Sequence, residues 1–98
     1  MFTVQYIDRD PFNHEVLAIP AANVTRLNAN YRNAYKAVFV TVETNNIRYW
    51  IDGTDPNANE GHIVYATGNL FLNSPKAMRE LRMIGVGGAA TAMVTYYR

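Results

Sequence analysis

From Val38 to Glu43 the chain alternates, with Val38, Val40 and Val42 on one side and Phe39, Thr41 and Glu43 on the other. A period of two marks a strand with one buried face. Asn45-Asn46 interrupts it with residues that tolerate positive φ. Ile47, Tyr49 and Ile51 then alternate with Arg48, Trp50 and Asp52. The two runs predict a β-hairpin turning at Asn45-Asn46. After a polar loop over 53–61, residues 63–66 and 70–72 predict two short strands around Thr67-Gly68-Asn69. Strand character resumes over 81–86. Ala92, Val94 and Tyr96, set against Met93, Thr95 and Tyr97, predict a closing strand.

One helical turn interrupts this pattern. Asn73 or Ser74 can cap it, Pro75 suits its first position, and residues 76–80 tolerate helix. In the first third, 2–7 and 24–27 predict strands. The stretch 8–35 holds five asparagines (Asn13, Asn23, Asn28, Asn30 and Asn33), two prolines and weak periodicity, which predicts loops or an arm. Such an arm would order by lying across a neighbouring subunit, where Val16, Leu17 and Ile19 would find apolar contacts. Several short strands at roughly ten-residue spacing, without alternating helices, indicate an all-β fold. The expectation is one domain over 1–98: a small antiparallel β-sandwich or barrel with at most one short helical turn and a less regular part at about 8–35.

Composition narrows the function. A chain of 98 residues is one domain's worth. With 49% hydrophobic and 17% charged residues it has the makings of a packed core. A net charge of +1, with Lys and Arg scattered, gives no footprint for nucleic acid. No cysteine is present, which excludes disulfides and thiolate metal sites. No apolar run approaches membrane-spanning length and the first residues do not resemble a leader, so synthesis in the cytoplasm is expected.

The catalytic motifs fail on their chemistry. Gly85-Val86-Gly87-Gly88-Ala89-Ala90 matches a dinucleotide fingerprint, yet a strand follows where a helix must meet the pyrophosphate. Asp55-Pro56-Asn57-Ala58-Asn59 imitates half a calcium loop, but Glu60 and Ala66 stand where Gly and a bidentate Glu are needed. Asp52, Asp55 and Asn57 are expected instead to accept backbone N–H bonds within their own loop. Ser74 precedes Pro75 with no nucleophile elbow, and His14 and His62 lack partners for a metal. No catalytic residue, cofactor or metal is therefore expected. Gly53, after the strand ending at Asp52, is expected to take positive φ.

The aromatic set points to surfaces. Trp50 and Phe71 fall on the opposite face from their apolar neighbours, which suits a contact with another subunit or a sugar. The run Ile47-Arg48-Tyr49-Trp50-Ile51-Asp52-Gly53-Thr54-Asp55-Pro56, then Glu60-Gly61-His62 and Leu70-Phe71-Leu72, resembles a recurrent pattern in small virion-associated proteins of tailed bacteriophages and prophages. Leu81-Arg82-Met83-Ile84 and Val94-Thr95-Tyr96-Tyr97-Arg98 continue it, so the resemblance covers residues 36–98. It implies a virion component, a capsid cement or decoration subunit or a head–tail accessory. Its partners would be coat, connector or tail subunits and further copies of itself, with no membrane or specific nucleic acid. Candidate interface residues are Val16, Leu17, Ile19, Trp50, Phe71 and Tyr97. Asp52, Gly53, Asp55, Pro56, Gly61 and His62 form a structural loop. The alternative is a carbohydrate- or receptor-binding module built on exposed aromatics.

Overall fold

The computed structural model describes residues 9–98, so the strand expected over 2–7 lies outside the described residues. Seven strands and two short helices follow in order: β1 (Pro11–Ile19), α1 (Ala29–Arg32), β2 (Ala37–Glu43), β3 (Asn46–Trp50), β4 (His62–Val64), β5 (Asn69–Leu72), α2 (Pro75–Glu80), β6 (Arg82–Val86) and β7 (Ala90–Tyr97). They form a four-stranded sheet in the order β1-β7-β2-β5 and a three-stranded sheet in the order β4-β3-β6. Every pair is antiparallel.

The expected hairpin of β2 and β3 does not form. The two strands belong to different sheets: β2 pairs with β5 and β7, and β3 pairs with β4 and β6. The link between them is a corner at which Thr44, not an asparagine, takes positive φ (79°). Asn45 braces it by donating its side-chain N–H to the carbonyl of Ala89 at 2.9 Å. Period-two patterning says which face of a strand is buried; it does not say which strand lies alongside. The apolar faces of β2 and β3 thus meet across the sandwich instead of side by side. The links β4–β5 and β6–β7 also cross between the sheets.

At the β6–β7 crossing the fingerprint glycines find a structural explanation. A Cβ on Gly85 would stand 2.4 Å from the carbonyl oxygen of Gly88 and 2.8 Å from that of Ile19. Backbone from three segments meets there, and only a residue without a side chain fits.

The N-terminal part is not an arm. β1 pairs with β7 from Pro11↔Tyr97 to Ile19↔Ala90. Beyond it, Thr25 and Met83 exchange backbone hydrogen bonds of 2.8 and 2.9 Å, and Leu27 is fully buried. The asparagines that suggested looseness are put to local use. Asn28 accepts the Asn30 N–H at 2.9 Å and caps α1, a helical turn the sequence had read as loop. The fold thus has two short helices where one was expected. α2 begins as expected, with the Ser74 hydroxyl accepting the Ala77 N–H at 3.2 Å and Pro75 in its first turn.

Both sheets contribute to one core. Val38, Val40, Val42, Val94 and Tyr96 face Ile47 and Met83, while Met78 and Leu81, in and just after α2, complete it. Each such side chain contributes roughly 1.5–3 kcal/mol on burial. Tyr96 carries the one polar atom that needs a partner deep in this region. Its hydroxyl donates to Glu15, which also accepts the Asn28 N–H at 3.3 Å. Tyr31 and Tyr35 pack against its ring at centroid distances of 5.1 and 5.6 Å. One network thereby ties β1, β7 and the α1 segment together.

Candidate functional site

The outer faces of the two sheets are the natural places to look for function, and they differ in kind. In the three-stranded sheet, Arg48, Trp50, Ile63, Arg82, Ile84 and Val86 point away from the core, yet none is fully exposed. Part of their cover comes from the loop over 51–61. Arg48 on β3 reaches across to donate to the carbonyls of Ala58 (3.1 Å) and Gly61 (2.8 Å). Pro56 is buried, and the backbone of Gly61 lies against Arg48 and Pro56 so closely that a Cβ there would sit 3.2 Å from each.

The loop builds itself from its own side chains. Asp52 accepts the Thr54 N–H at 3.1 Å, and Asn57 accepts the Asn59 N–H at 2.9 Å, both as expected. Hydrogen bonds from Thr54 hold the Asp52 carboxyl below the ordinary carboxylate range. Asp55 departs from expectation: it pairs with Arg82 of β6 at 2.9 Å instead of capping the loop. Gly53 has φ +86°, as its position after β3 demands. The ring of His62 packs on Tyr49 and Trp50 at centroid distances of 5.3 and 5.2 Å. Beside Trp50 the loop leaves an open cavity of about 230 Å³, lined by Trp50, Asp52, Thr54, Asp55, Asn57 and Glu60. Among the described residues no three His, Asp or Glu side chains converge as a metal site would require.

The four-stranded sheet is bare by contrast. Its outward positions run in rows across the strands, His14–Thr95–Phe39–Phe71 and then Val16–Met93–Thr41–Asn69. Val16 is 65% exposed and Met93 43% exposed, and no described element lies over them. Threonines and apolar groups dominate this face, which no folded chain leaves uncovered without reason when the patch is large.

Among the described residues β1, the longest strand, has one unpaired edge, and that edge is blunted. Pro11 and Pro20 bracket it, and a bulge interrupts its register between Pro11 and Asn13. Asn13 accepts the His14 N–H with its own side chain at 2.9 Å. Glu15 points inward, as on strands guarded against edge pairing. The face is therefore the better contact surface than the edge.

The candidate interface residues separate on this structure. Val16, Phe71 and Tyr97 lie on the outer face of the four-stranded sheet. Trp50 is on the far side of the molecule, outside the other sheet. Leu17 packs against the core, and Ile19 is wholly inside it, so neither presents a contact surface. Both occupy inward positions of β1, where alternation places every second side chain under the sheet. The sequence reading missed Phe39 and Met93, although their alternation with Val38, Val40, Ala92 and Val94 already set them outward. It also missed Arg48 as the loop's anchor, which no local pattern discloses. Compared with known protein families, curated proteins and solved structures, the chain matches none.

Proposed function

We propose that this chain is a structural subunit of a tailed-bacteriophage particle, a capsid cement or decoration protein or a head–tail accessory, acting by protein–protein assembly and not by catalysis. The observation that carries the assembly reading is the outer face of the four-stranded sheet, over which none of the described elements lies. It offers Val16, Phe39, Phe71, Met93 and Tyr97 on a rigid, hydrogen-bonded plane, the composition of an interface core with few charges to desolvate. The particle itself comes from the resemblance over residues 36–98. Partners are further copies of this chain and coat, connector or tail subunits. The test is incorporation: Val16→Glu and Met93→Glu variants, supplied in place of the native chain during assembly, should be absent from purified particles. Normal incorporation of both would refute the reading.

A second reading is favoured by one observation, the cavity of about 230 Å³ at Trp50. An aromatic ring with carboxylate and amide acceptors around it is the chemistry that holds a sugar ring by stacking and hydroxyl hydrogen bonds. Titration with cell-surface saccharides, followed by Trp50 fluorescence, decides it: a saturable change lost in Asp52→Ala supports a carbohydrate-binding module, and no change excludes it.

A further inference from the structure

We infer that the cavity beside Trp50 takes a single ring of a basic sugar, an amino sugar whose amine is free and charged, and turns acidic sugars away. The inference rests on the carbohydrate reading of that cavity and names the class of sugar.

The lining carries it. Asp52, Asp55 and Glu60 share the wall with Trp50, Thr54 and Asn57 around about 230 Å³, and no cation is among the lining residues. The loop orders these carboxylates without neutralising the set. The Thr54 N–H donates to Asp52 Oδ1 at 3.1 Å, and the Asn57 amide donates to Glu60 Oε1 at 3.0 Å. Both donors are neutral, so neither bond cancels the charge it orders. The hydrogen bonds from Thr54 keep Asp52 ionised to lower pH than an ordinary carboxylate. Among the described residues Asp55 alone of the three has a cationic partner, Arg82 at 2.9 Å. The other guanidinium beside the loop, Arg48, is engaged with the carbonyls of Ala58 and Gly61. A further carboxylate, Glu80, lies so close to Gly53 that a Cβ there would stand 2.7 Å from its Oε2.

A neutral sugar needs an aromatic face and hydrogen-bond partners, and amides or carbonyls would serve its hydroxyls as well. Surplus negative charge does something else: it selects by charge. The indole that stacks on a sugar ring also attracts a cation. A ring carrying an ammonium is therefore held by the indole and by the carboxylates together. Its N-acetylated form keeps the stacking and loses the charge, and a uronate meets uncancelled carboxylates. The cavity is smaller than the roughly 300–1,000 Å³ of sites for drug-sized ligands, which corresponds to one ring and not to a chain.

Trp50 is the one tryptophan of the chain, so its fluorescence reports this cavity alone. The experiment titrates the full chain with glucosamine, glucose, N-acetylglucosamine and glucuronate at mildly acidic pH, where the amine is an ammonium. Thermal melts confirm that each variant is folded. Glucosamine should bind about tenfold more tightly than glucose or N-acetylglucosamine, the sum of two or three exposed ion pairs, and high salt should shrink the advantage. Glucuronate should leave the fluorescence unchanged. The double variant Asp52→Asn, Glu60→Gln should reduce the advantage to about twofold, whereas Glu43→Gln, which removes an exposed carboxylate on the other sheet, should preserve it. Equal binding of glucosamine and glucose, or binding of glucuronate, overturns the inference and leaves the carbohydrate reading standing. An advantage that survives the double variant overturns it too. If no saccharide alters the fluorescence, the carbohydrate reading fails and the inference falls with it.

Discussion

The three-stranded sheet folds its own 51–61 loop over part of its outer side, with Arg48 as the tether, whereas the four-stranded sheet leaves Val16 and Met93 open. Both sheets obey the same alternation, and both bury one face in a shared core. What separates them is the connection each received. The β3–β4 link stays within its sheet and is long enough to lie back across it. The links that leave the four-stranded sheet cross to the other side, and the long β1–β2 link turns toward β6 at Thr25, so among the described residues none lies over Val16 and Met93. An apolar surface left open by topology, not by composition, is the kind that another subunit fills.

The comparison assigns stability to the four-stranded sheet and its N-terminal tether, and makes the loop nearly dispensable. The strongest way to break it is to delete residues 8–22. This removes β1 with Ile19, and it strips Tyr96 of Glu15; circular dichroism should show no cooperative unfolding transition. A folded, cooperatively melting remainder would return the segment to the status of an arm.

Tyr96→Phe comes next. It removes one hydrogen bond to a carboxylate and leaves Glu15 half-buried with only the Asn28 N–H, a loss of about 1.5–3 kcal/mol in denaturant titrations. The same pair predicts alkaline behaviour. Burial, then the hydrogen bond to Glu15, raises the Tyr96 pKa far above its ordinary value of 10. The unfolded chain therefore releases this proton as pH rises through 10 while the folded chain keeps it. Stability is fully present below that pH and falls above it, and the slope contributed by this residue should vanish in Tyr96→Phe.

Much of this was legible beforehand, and the misses have physical causes. The alternation at Val38, Val40 and Val42 gave the strand and its buried face, and Ser74-Pro75 gave the start of α2. Pairing was not legible, because nothing in a strand's own residues tells whether its successor lies beside it or across the core. The 8–35 segment misled because Thr25 and Ile19 are anchored by partners far along the chain, Met83 and Ala90, which no local window contains. The loop's site residues were readable where the bond was local, as at Asp52 and Asn57. They were not where it was distant, as for Asp55 with Arg82 and for Arg48.

In the loop the expected effects shrink. Gly53→Val should cost about 1–3 kcal/mol, since φ +86° strains any β-branched side chain. A Cβ there also comes within 2.7 Å of the Glu80 carboxylate, whose side chain can swing away. Smaller still, Asp55→Asn breaks a pair whose carboxylate is exposed and whose Arg82 is half-buried, and should change stability by at most about 1 kcal/mol, less in high salt. At the bottom of the scale, millimolar calcium should leave the melting temperature unmoved; a rise reversed by chelator would mean that the loop binds metal and that the sheets differ less than argued.

The corners at Thr44 and Gly85 have a kinetic consequence. Since neighbouring strands in the chain rarely pair, few native contacts can form early from local segments, and the one consecutive pair among the described strands, β3 and β4, must first close the long 51–61 loop. β2 must wait for β5 and β7, and β7 must then receive β1 from the other end of the chain. Loop closure over such spans precedes any reward from burial, which places this domain among slow folders, in the range of roughly milliseconds to seconds. During that interval the nascent chain exposes its valine-rich strands without partners, so the speed at which copies are made sets how many reach the folded state.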